Sequence, residues 1–193
     1  MKLSPPQLLL WGLLSVPGVW IVARHATGAL GYGEAIQLSG EWAVRLLVVV
    51  LAVTGLRLAF PRAGWTVWLL RRRRDLGVAV FGYALLHLGV YLARKAEMPV
   101  LIVREALDPG MAVGWVGFVV FAVLAITSND ASVRALGPRW RILHRMVYAG
   151  AALTIAHWVI TAFDPLVGWI HGGVLAAVIL VRLALRRKTV RAG

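Results

Sequence analysis

Five histidines (His25, His87, His144, His157 and His171) have the widest chemical reach in this 193-residue sequence. Two occupy matched positions. His87 follows Arg73 by 14 residues, about 21 Å along a helix that rises ~1.5 Å per residue. His157 follows Arg141 by 16 residues, about 24 Å on the same scale. If the two helices run the same way, both imidazoles lie at nearly one level in the outer part of a bilayer. An ionisable group at that depth is expensive and therefore a functional candidate. Two neutral imidazoles on different helices can bind one haem iron from both sides, giving a six-coordinate centre suited to electron transfer. The competing reading is a histidine pair that hydrogen-bonds across helices.

His144 lies 13 residues before His157, about 20 Å nearer the opposite side. That separation suits a second haem. On an ideal helix, however, the two side chains diverge by about 140°. Arg73 falls at the depth of His144 and within about 40° of the face of His87. It can serve a haem propionate, approach an iron, or belong only to the basic run Arg71–Arg74. His144 itself stands beside Arg145, where a solvated histidine is cheap. His25 reads as interfacial, and His171 as a rival ligand, a quinol-pocket residue or a solvated helix end. Met111 and Met146 read as packing.

The elements that position these side chains are membrane helices. Hydrophobic residues make up 60% of the chain, above the ~45–50% usual for globular proteins. Six apolar segments predict an all-α, six-transmembrane bundle: about 7–24, 41–60, 75–93, 111–128, 140–162 and 167–185. The whole of 1–193 reads as one domain, and the first segment as a retained helix rather than a signal peptide. With the N-terminus inside, sixteen of the 21 basic residues fall on the inner side. They are Lys2, Arg57, Arg62, Arg71–Arg74, Arg134, Arg139, Arg141, Arg145, Arg182, Arg186, Arg187, Lys188 and Arg191. The positive-inside rule then places both termini in the cytoplasm. Most tryptophans read as interfacial anchors, and the Gly114/Gly117 and Gly172/Gly173 pairs as close-packing positions.

Several classes are excluded. The net charge of +13 sits at segment ends, which points to headgroups rather than nucleic acid. The absence of cysteine removes thiolate-ligated haem, iron–sulfur clusters and covalent haem. No P-loop, dinucleotide-binding glycine fingerprint or HExxH is present.

Particular stretches carry a resemblance: Leu38-Ser39-Gly40, Arg73-Arg74-Asp75-Leu76-Gly77 with Leu86-His87-Leu88 and Tyr91, and Thr127-Ser128. Leu136-Gly137-Pro138-Arg139-Trp140, Leu143-His144-Arg145, Tyr148 and His157-Trp158 complete the set. In these the chain resembles the MsrQ (YedZ) family, the haem-binding membrane subunit of the periplasmic methionine-sulfoxide reductase system, itself ferric-reductase-like. The resemblance implies haem b with His87 and His157 as axial ligands, and His144 and Arg73 at a second haem or on the electron path. It also implies quinol and a cytoplasmic flavin reductase as electron sources, and an MsrP-type molybdopterin enzyme outside as acceptor. The setting would be the bacterial inner membrane. FMN is associated with the family, although no residue here is recognisable as its site. Ferric-reductase-like relatives carry a histidine pair on each of two helices, whereas the third segment here carries His87 alone. A ferric or metal reductase and a haem-free transporter or scaffold are the alternative functions.

Overall fold

A chain with a mean hydropathy of +0.79 must satisfy its backbone polar groups internally, and a helix does so within one segment. The computed structural model describes residues 4–191, with side chains described as far as Lys188. Lys2 and the side chain of Arg191, both counted on the inner side above, lie outside the described residues. Among the described residues all regular structure is helical: α1 (Pro5–Ala26), α2 (Tyr32–Ala59), α3 (Gly64–Lys95), α4 (Pro99–Glu105), α5 (Pro109–Ile126), α6 (Asp130–Leu136), α7 (Pro138–His144), α8 (Val147–Thr161) and α9 (Leu166–Arg191). Five of these, α1, α2, α3, α5 and α9, are long and apolar enough to cross a membrane. The protein is a multi-pass membrane protein.

Two sequence expectations need correction. The span predicted at 140–162 is not one helix, because α7 ends at His144 and α8 starts at Val147. Arg145, Met146 and Tyr148 each donate a backbone N–H three residues back, to Ile142, Leu143 and Arg145. This is a tightened, 3₁₀-like turn. Winding at ~120° rather than ~100° per residue there cuts the divergence between His144 and His157 from about 140° to roughly 80–100°. Secondly, α2 and α3 begin at Tyr32 and Gly64, well before the predicted 41 and 75. At about 48 Å, the 32-residue α3 outruns a ~30 Å hydrocarbon core, and Arg71–Arg74 form its third turn.

The central helix is α2. It packs on α1, α3, α8 and α9, and its Val44, Leu47, Leu51 and Val53 are almost fully buried. By contrast α1 leaves Leu9 and Leu13 71% and 72% exposed, as expected of a lipid-facing surface. Helices α5 and α8 meet through small residues. Gly110, Gly114 and Gly117 share one face of α5, and Gly150 on α8 admits Phe121 and Val120. Gly172 of α9 packs tightly on Ile155, whereas nothing approaches the Cβ position of Gly173 within 4 Å.

Polar ties hold the helix ends. Asn129 Oδ1 accepts the Ser132 N–H at 2.8 Å and caps α6. Gly137, with φ +51°, turns the chain into Pro138 at the start of α7. Arg74 bonds Asp130 at 2.6 Å and holds that carboxyl below its ordinary range.

Pro17 interrupts α1, since it has no N–H for the ladder and its ring crowds the preceding turn. The Tyr83 hydroxyl of α3 bridges the interruption. It donates to the Leu14 carbonyl at 2.7 Å and accepts from the Gly18 N–H at 2.9 Å. Tyr83→Phe should therefore strand two backbone groups in lipid and destabilise the protein by about 1–3 kcal/mol. A drop of several degrees in the unfolding temperature in detergent would register this. Adding Pro17→Ala, which lets the helical ladder close, should recover most of the loss.

Candidate functional site

Helices α2, α3, α5 and α8, with the start of α9, surround a cavity of about 820 Å³, within the range of small-molecule and cofactor pockets. Its inner wall is apolar, built from Val44, Leu47, Val80, Phe118 and Phe121. Its outer rim carries Tyr32, Tyr91, Lys95 and Glu105.

His87 of α3 and His157 of α8 both line this space. Their ring centroids are 6.2 Å apart and the ring planes are perpendicular. Nδ1 of His87 lies 2.9 Å from the Ile36 carbonyl of α2, and Nδ1 of His157 lies 2.8 Å from the Gly110 carbonyl of α5. A carbonyl only accepts, so each Nδ1 carries the proton and donates it. Neither Nε2 has a hydrogen-bond partner among the described residues, which leaves both as ligating lone pairs. A donated Nδ1–H is the usual outer contact of a metal-bound histidine, because it sets tautomer and ring angle.

The spacing decides what the pair could hold. A metal–imidazole bond of ~2.0 Å plus ~1.1 Å from nitrogen to ring centre, doubled, gives about 6.2 Å. That is the separation of two axial ligands on one ion. Among the described residues no group of three or more His, Asp or Glu could complete a bare metal site. A metal bound by this pair would draw its remaining ligands from outside the described side chains.

Glycines seat both rings. A Cβ at Gly114 would fall 2.5 Å from Nδ1 of His157, and one at Gly40 would fall 3.1 Å from Nδ1 of His87. The Gly110 and Ile36 carbonyls and the Gly40 seat have no signature in the sequence. Backbone acceptors leave no mark on side-chain identity. Gly114 was visible there only as a packing residue.

At the rim, Lys95 Nζ and the Tyr91 hydroxyl bond the two Glu105 oxygens at 2.5 and 2.9 Å. These bonds, that of Lys95 foremost, hold the Glu105 carboxyl below its ordinary range. They tie α4 to the end of α3. Beneath them Glu41, buried in the cavity wall, accepts from Gln37 at 2.9 Å and pairs with Arg45.

The other predicted site residues stand apart from this cavity. His144 Nε2 lies 3.1 Å from Thr127 Oγ1, and its ring stacks on Trp140 at 3.9 Å. Arg73 donates to Thr54 Oγ1 at 3.3 Å and lies within electrostatic reach of His144. His171 contacts the Val167 carbonyl at 2.8 Å and packs on Trp158, with ring centres 5.0 Å apart. Nδ1 of His25 lies 2.9 Å from the Leu30 carbonyl at the end of α1. Trp115 and Trp158 line the cavity, and Trp42 stacks on Tyr83 at 6.1 Å. These three tryptophans therefore contribute to the interior of the bundle.

Comparison with known proteins bears on this site. Residues 39–155 match the family described as ferric reductase like transmembrane component. Proteins of Brucella ovis, Brucella canis and Brucella suis, each named protein-methionine-sulfoxide reductase heme-binding subunit MsrQ, are 35% identical over 189 residues. The alignments cover 93% of this chain and 84% of each relative. No solved structure matches.

Gly114→Ala should force the His157 ring from its seat, at an overpacking cost of about 1–3 kcal/mol. Gly173→Ala, with open space around its Cβ position, is the neutral control, and thermal unfolding in detergent compares the two. The rim clasp should be present at neutral pH and lost only as pH falls through the depressed Glu105 value. Hydrogen exchange in α4 should follow that loss, and Glu105→Gln should remove the pH dependence.

Proposed function

The chain belongs to the MsrQ family of ferric-reductase-like membrane subunits, and on that premise we propose that it is a haem-binding electron-transfer subunit serving a methionine-sulfoxide reductase. The names of these relatives tie them to haem and to that reductase. For this chain the carrying observation is two perpendicular imidazoles 6.2 Å apart, each with Nδ1 committed to a carbonyl.

In this reading His87 and His157 ligate the iron of one haem b through Nε2. The bound haem supplies a one-electron couple whose potential responds to ligand, hydrogen bonding and burial. The chain's own residues do the rest. Ile36 and Gly110 fix the tautomers, and Gly40 and Gly114 let the rings approach. Val44, Phe118 and Phe121 keep lipid and water from the macrocycle. Held by both imidazoles, a haem here would supply electron transfer rather than oxygen activation.

Residues 1–193 form one ferric-reductase-like domain with six crossings, α7 and α8 together making the fifth, and both termini on the cytoplasmic side of a bacterial inner membrane. Electrons enter from quinol, or from a cytoplasmic flavin reductase, and leave at the outer rim to an MsrP-type periplasmic enzyme. Methionine sulfoxide is a reversible lesion, so its repair needs such a supply of reductant. His144 and Arg73 form a polar step toward the inner face. A second haem there requires His144 to exchange Thr127 for iron. No residue is assigned to FMN.

Pyridine haemochrome assay of the detergent-purified protein should give one haem b per chain, and reduced-minus-oxidised spectra should show a low-spin centre. His87→Ala and His157→Ala should each abolish that low-spin signal. His144→Ala should slow electron transfer and leave the signal in place. A colourless preparation from haem-replete cells, or full low-spin haem in both ligand variants, would sink the assignment.

A further inference from the structure

Glu41 takes no part in holding the imidazole pair, yet it places a carboxylate in the wall of the same cavity. It stands on α2, about 14 Å from the start of that helix at ~1.5 Å per residue. The preceding residue is Gly40, whose Cβ position lies 3.1 Å from Nδ1 of His87. Gln37 Nε2 donates to Glu41 Oε1 at 2.9 Å, and Arg45 pairs with Oε2. An ionisable side chain within a membrane helix is expensive, and a buried ion pair returns little of that cost as stability. Such a group calls for a role other than packing.

The ion pair is not symmetrical about the cavity. Among the described residues Glu41 lines it and Arg45 does not. The Glu41 side chain is 8% exposed against 43% for Arg45, whose guanidinium lies 5.4 Å from the Trp42 ring centre. An exposed charge is screened more than a buried one. The remaining charged groups on the cavity are at its mouth, where Lys95 and Glu105 pair with each other and Asp164 is exposed. The interior therefore faces a net negative field, and Glu41 is its source.

We propose that Glu41 tunes the potential of the redox group that His87 and His157 hold, its carboxylate disfavouring the reduced form and Arg45 limiting that effect. This rests on the haem reading above. An added electron makes the cavity more negative by one charge, and a nearby carboxylate opposes that change. A unit charge ~10 Å away at an effective dielectric of ~20 shifts a one-electron equilibrium by about tenfold, which corresponds to ~59 mV. Compensation by Arg45 keeps the shift within that figure. The pair makes the site a stronger reductant than its ligands alone would.

The wild type, Glu41→Gln, Arg45→Gln, Arg45→Lys and the exposed control Glu97→Gln are purified in detergent. Spectroelectrochemical titration at one pH gives each midpoint potential, with haem content and the low-spin spectrum recorded alongside. Glu41→Gln should raise the potential, by up to ~59 mV for a tenfold change, with haem content and spectrum unchanged. Arg45→Gln should lower it, Arg45→Lys should keep the wild-type value because it keeps the charge, and Glu97→Gln should not move it. An unmoved potential in Glu41→Gln, or shifts of the same sign in Glu41→Gln and Arg45→Gln, overturns the proposal. Should Glu41→Gln fail to accumulate, the arginine variants decide. A fall in Arg45→Gln that is absent from Arg45→Lys supports the proposal, and an unmoved potential in both overturns it. Haem-replete protein with unmoved potentials leaves the ligand assignment standing, whereas a haem-free wild type removes both.

Discussion

Two hydrogen bonds from imidazole Nδ1 to backbone carbonyls organise the centre of this molecule. One joins α3 to α2 through His87 and Ile36, and the other joins α8 to α5 through His157 and Gly110. Each bond forms only if the helices approach closely enough for a ring to lie against a glycine. The helix pairing, the cavity and the tautomers are thus one constraint seen three ways. A larger side chain at Gly114 would alter all of them together.

Packing in lipid supplies that closeness. Apolar burial gives little attraction between helices already surrounded by hydrocarbon, so backbone approach at small residues and internal hydrogen bonds take its place. The α5–α8 contact uses four glycines for this purpose. The α1–α3 contact uses a single tyrosine hydroxyl placed at a proline-weakened turn. On the central helix α2, Gln37 and Glu41 bring polar side chains to the cavity wall.

Much of this was legible in the sequence. Apolar runs disclose membrane helices, and a fixed rise per residue is enough to set His87 and His157 level. The limits of α2 and α3 were less legible because hydropathy reports the solvent of a segment, not its backbone. Gln37 and Arg71–Arg74 are helical but sit outside the apolar windows. The interruption at Arg145–Met146 was hidden for a different reason: a shift from four-residue to three-residue hydrogen bonding changes no composition. Trp42, Trp115 and Trp158 look like interfacial anchors by position, yet they face the bundle. Only the packing of neighbours such as Tyr83 and His171 distinguishes the two settings.

That both acceptors are main-chain oxygens has a genetic consequence. No codon change at Ile36 or Gly110 deletes the oxygen that orients its histidine, so the arrangement is shielded from the commonest kind of damage. Its vulnerability passes to residues with no polar atom in their side chains. Substitutions that merely add bulk would be the harmful ones, and a survey that scores lost functional groups would overlook them.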